Sequence, residues 1–157
     1  MKKSIFALIA ALAFALPMTV FAQTGNRVPN PIIITEEEAN DSFFVTNPPG
    51  RRWDELVVDY QTDQAVISGE LTLRVPRGQG TTTYSVQAVY TVSVSNGRVF
   101  WTLQSVTADG AAASQDIVNQ VNASLSSSWR NYVRENGRGG RITDVVLTDT
   151  DLQIFWS

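Results

Sequence analysis

The chain has 157 residues and a formal net charge of −3; setting aside its first 22 residues removes both lysines and leaves ten arginines against fifteen carboxylates. That acidic balance disfavours nucleic acid and anionic membrane surfaces as bulk electrostatic partners. Cysteine and histidine are both absent, which excludes thiol and Ser-His nucleophiles, imidazole acid–base chemistry, disulfide staples and the usual His/Cys zinc sites, so neither cofactor nor metal is implied.

Residues 1–22 read as a secretory signal peptide: Lys2 and Lys3, an apolar run from Ile5 to Leu16, and Val20-Phe21-Ala22 before Gln23. Pro17 ends the run short of the ~20 apolar residues that a spanning helix needs. Cleavage and export to the periplasm, cell surface or medium are therefore expected, with no transmembrane segment in the mature chain. Residues 23–33 read as a flexible leader, polar with two prolines, and residues 34–157 as a single domain.

Thr35 followed by Glu38 is a capping box, and Glu36, Glu37 and Glu38 suit the positive end of a short helix running to about Phe44. Capping explains these carboxylates better than a cation site does. Asn47-Pro48-Pro49-Gly50 is a turn cluster, and Arg51 and Arg52 lead into the first strand beside Trp53. Guanidinium geometry makes that Arg pair a candidate contact for an anionic head group, although a solvated strand edge with one cation–π contact uses the same residues.

Period-two alternation then marks strands. Leu56, Val58 and Tyr60 alternate, then Ala65, Ile67, Gly69, Leu71, Leu73 and Val75, then Tyr84, Val86, Ala88, Tyr90, Val92 and Val94, each series with polar neighbours on the other face. Asn96-Gly97 predicts a two-residue type I′ hairpin pairing Val94 with Val99, Val92 with Trp101, Tyr90 with Leu103 and Ala88 with Ser105. Phe100 falls on the nominally wet face. Residues 114–135 carry Ile117, Val118, Val121, Leu125, Trp129, Tyr132 and Val133 at spacings that predict a long amphipathic helix capped by Ser114. Beyond it, apolar parity switches from odd at Val145 and Leu147 to even at Leu152, Ile154 and Trp156, so a hairpin or bulge is expected at Asp149-Thr150-Asp151. Turn chemistry explains those two aspartates better than calcium does, because no distal bidentate Glu accompanies them.

The order predicts an α+β domain: a curved antiparallel sheet of about five to six strands around one long helix in the C-terminal half, plus a short N-terminal helix. The acidic-capped helix, the run from Val57 to Gly69, Val94-Ser95-Asn96-Gly97-Arg98-Val99, the long helix and the run from Ile142 to Asp149 together resemble exported LmeA-like bacterial proteins, which are similar to the tubular lipid-binding superfamily. That resemblance implies a curved sheet wrapping a helix and holding acyl chains. It carries no site residue over to this chain.

A non-enzymatic domain binding a lipid or another apolar ligand is the expected function. Tyr90, Val92, Trp101 and Leu103 on the sheet and Val121, Leu125 and Trp129 on the helix are the candidate groove. The same side chains equally suit a dry core, in which case a structural or protein-interaction module of the cell envelope is expected. An enzyme would need paired carboxylates in a cleft. Asp59 and Asp144 are the best remaining candidates, and most other acidic residues fall at caps and turns.

Overall fold

The computed structural model describes residues 31–75, 78, 80–136 and 140–157; the signal segment and most of the leader lie outside them. The chain runs through β1 (Ile32–Thr35), α1 (Glu36–Ser42), β2 (Arg51–Gln61), β3 (Gln64–Arg74), β4 (Thr81–Ser95), β5 (Arg98–Ala108) and β6 (Ala111–Ala112). A long helix follows as α2 (Gln115–Val121), a π-helical turn (Asn122–Ser126) and α3 (Ser127–Glu135), then β7 (Ile142–Leu147) and β8 (Asp151–Trp156). The α+β class holds, with every strand pair antiparallel.

Among the described residues, eight strands form two sheets in place of one: β2-β3-β4-β5-β6 and β1-β8-β7. Ile32 and Ile33, expected to end the leader, belong to β1 and pair with Ile154 and Gln153. The two sheets meet chiefly where β7 lies against β4, and the β2–β3 turn also reaches the β7–β8 turn. There the Asp63 N–H donates to Leu147 O at 3.3 Å, and the Thr62 N–H and hydroxyl donate to Asp149 Oδ1 at 2.8 and 2.7 Å.

Local chemistry explains most of the elements. Thr35 Oγ1 accepts from the Glu38 N–H, and Glu36 Oε2 also accepts from the Tyr60 N–H at 2.9 Å, tying α1 to β2. The Asn96-Gly97 turn gives the expected pairs Val94–Val99, Val92–Trp101 and Tyr90–Leu103. A bulge between Val89 and Tyr90 then adds one residue, so Ala88 faces Val106 and not Ser105. β2 carries a second bulge near Glu55, whose φ is +51°, and Gly69 lies against it.

The long helix is not a uniform α-helix. Ile117, Val121, Leu125, Trp129 and Val133 recur every four residues, and four residues at ~100° each overshoot a turn by about 40°. Over four such steps a straight α-helix would carry the stripe roughly 160° around its axis. The π-helical turn widens the middle of the helix and rewinds the stripe. All five side chains are buried as a result.

Candidate functional site

Trp129 sits at the centre of the space between helix and sheet, and aromatic rings surround it. Phe43 meets it edge-on at 5.0 Å, Trp101 at 5.3 Å, Tyr132 stacks at 5.5 Å and Tyr60 tilts over it at 6.3 Å. Phe43 comes from the end of α1, a segment with no visible link to the groove in the sequence. Phe44, its neighbour, is instead exposed, because only one of two consecutive aromatics can face the same side.

Of the seven predicted groove residues, Tyr90, Val121, Leu125 and Trp129 have 0% exposure and lie inside one closed cluster. Val92, Trp101 and Leu103 are half-buried and pack against it from β4 and β5. The predicted set is thus brought together, with its deep half sealed from solvent and its shallow half at the rim.

Polar groups in this interior are partly satisfied. Tyr90 Oη and Ser126 Oγ are 3.1 Å apart, and burial pushes the Tyr90 pKa up to about 12, with the Ser126 bond opposing. Tyr132 Oη lies 2.8 Å from Ser42 Oγ. Burial also raises the Tyr60 pKa, helped by Tyr132 and the acidic first turn of α1, and its hydroxyl has no hydrogen-bond partner among the described residues. The Trp53 Nε1–H donates to Ser124 Oγ at 3.0 Å, and Ser124 in turn donates to Gln120 O at 2.6 Å inside the π-helical turn.

One solvent-open recess touches the predicted groove. It lies between β5 and the long helix, has a volume of about 240 Å³, and is lined by Arg98, Val99, Phe100, Trp101, Ser126 and Arg130. Phe100, on the outer face, is 49% exposed. Neither Arg98 nor Arg130 forms an ion pair among the described residues. Sequence reasoning missed both cations, yet Arg98 directly follows the hairpin turn and Arg130 directly follows Trp129, so strand register and helix spacing could have placed them.

The other predicted contact, Arg51 and Arg52, lies at the start of β2, away from that recess. Arg51 is half-buried and its Nη1 donates to Gln120 Oε1 at 3.2 Å; Arg52 is exposed and pairs with Asp54 Oδ1 at 2.8 Å. Asp59 and Asp144 are both exposed and on different sheets, and no cluster of metal-ligating side chains occurs among the described residues. No described helix is long and apolar enough to cross a membrane. No protein-family model, curated protein or solved structure matches this chain.

Proposed function

We propose that the chain is an exported, non-enzymatic domain that binds a lipid-like amphiphile at the edge where the long helix meets β5. The observation that carries this reading is the composition of the recess. Val99 and Trp101 offer an apolar wall on the inner face of β5, where Trp129 backs Trp101, with Phe100 on the outer face of the same strand and Arg98 and Arg130 beside it. An acyl chain would lie on the wall, each 100 Å² of its surface removed from water contributing about 2.5 kcal/mol. Its anionic end would meet the guanidinium groups, which suit carboxylate and phosphate oxygens.

A second reading, a structural or protein-interaction module of the cell envelope, is favoured by a different observation: the complete burial of Tyr90, Val121, Leu125 and Trp129, as a filled core requires. Dodecanoate titration separates the two. Binding at the edge predicts a saturable change in tryptophan emission at micromolar ligand, a one-to-one adduct by native mass spectrometry, and at least tenfold weaker binding in Trp101→Ala. Silence in both measurements at micromolar ligand would leave the scaffold reading.

A further inference from the structure

We propose that a second recess, at the far end of the sheet where β2 begins and β3 ends, is a binding site for a phosphate-type oxyanion. The strand register creates it. Arg51 pairs with Leu73 and Arg52 with Thr72, while Arg74 pairs across β4 with Thr81. The Arg74 N–H donates to Gly50 O at 2.9 Å, fastening the two strand ends together. Arg51, Arg52, Arg74, Thr72 and Thr81 thereby line one opening of about 550 Å³.

The charges there do not cancel. No carboxylate lines the opening among the described residues. Asp54 is engaged by Arg52, through Nε at 2.9 Å and Nη2 at 2.8 Å. Among the described residues the Arg51 side chain hydrogen-bonds only to the neutral Gln120, through Nη1, and its Nε is sealed from solvent without an acceptor. Burial lowers the pKa of Arg51, because desolvation disfavours its charged form. Arg51 and Arg74, neither in an ion pair among the described residues, and the Thr81 hydroxyl present donors to a ligand rich in acceptor oxygens, while the Thr72 hydroxyl is already shared with Thr83 Oγ1 at 2.8 Å. A doubly charged tetrahedral oxyanion matches that set better than a single carboxylate does. The density of positive charge is unusual for this chain, whose residues after the predicted signal segment carry a net acidic charge.

This site stands independently of the β5–helix edge, and the test keeps them apart. Full-length processed protein would be titrated with inorganic phosphate, with glycerol 3-phosphate, and with vesicles of phosphatidylglycerol or of phosphatidylcholine alone. Saturable binding of either soluble phosphate, weakened at least tenfold in Arg74→Gln and in Arg51→Gln but unchanged in Arg98→Gln, is the expected result. Binding confined to phosphatidylglycerol vesicles with the same variant pattern would identify the oxyanion as a lipid head group. Arg74 is exposed, so its variant should fold even if Arg51→Gln does not. Arg74→Lys keeps the charge and loses the planar fork, and should fall between wild type and Arg74→Gln. Equal binding by wild type and Arg74→Gln, equal weakening by Arg98→Gln, or no binding to any of the four probes would overturn the proposal.

Discussion

Ser124 is the buried polar side chain that joins the helix to β2. Its hydroxyl accepts from the Trp53 indole and donates to a main-chain carbonyl, filling both roles at once. Ser124→Ala leaves the buried indole N–H without an acceptor, and should destabilise the domain by about 1–3 kcal/mol. Urea denaturation measures this; an unchanged midpoint would show that Trp53 finds another partner. The tyrosines set a high-pH limit. Tyr60 and Tyr90 both have folded pKa values above the ordinary 10.0, so folding favours their protonated forms. Their contribution is fully present below pH 10 and is lost as pH rises, for Tyr90 through about 12. Melting temperature should therefore fall between pH 10 and 12, and replacing both by Phe should flatten that fall. Residues of this kind were only half legible: alternation marks Tyr60 and Tyr90 as inward, but nothing local says that Ser126 would serve one hydroxyl and nothing the other.

At the scale of elements, turn chemistry and hydrophobic parity agree at Asn96-Gly97, and the register they predict holds for the three pairs nearest the turn. It fails at Ala88 because a bulge inserts a residue without a compositional mark. The π-helical turn had a signal that spacing alone could have exposed: a strict four-residue recurrence cannot stay on one face of a 3.6-residue helix. Gly69 is the clearest case of an element-level constraint. A Cβ there would lie 2.9 Å from Asp54 O and 3.1 Å from Leu56 Cδ2, against the bulge of β2. Gly69→Ala should cost about 1–3 kcal/mol through overpacking, read as a lower denaturation midpoint. A neutral result would mean that the bulge relaxes freely.

Across the whole molecule, the class and the central role of the long helix follow from periodicity, because each element buries one face and the helix has the longest stripe. The division into two sheets does not follow. β1 pairs with β8 across most of the chain, and no local pattern selects that partner. For the same reason the sequence brings the seven groove residues together without saying that the interior closes. Phe43 arrives from α1 and helps to fill it. Closure moves the proposed ligand from the interior to the rim, where Arg98, Phe100, Trp101 and Arg130 meet. Amide chemical-shift mapping during a dodecanoate titration tests that placement most directly. Rim binding predicts saturable shifts concentrated at residues 98–101 and 126–130, with Ala65, Ile67, Ala88 and Val121 unmoved. Large shifts at those four core positions, or none anywhere, would contradict it.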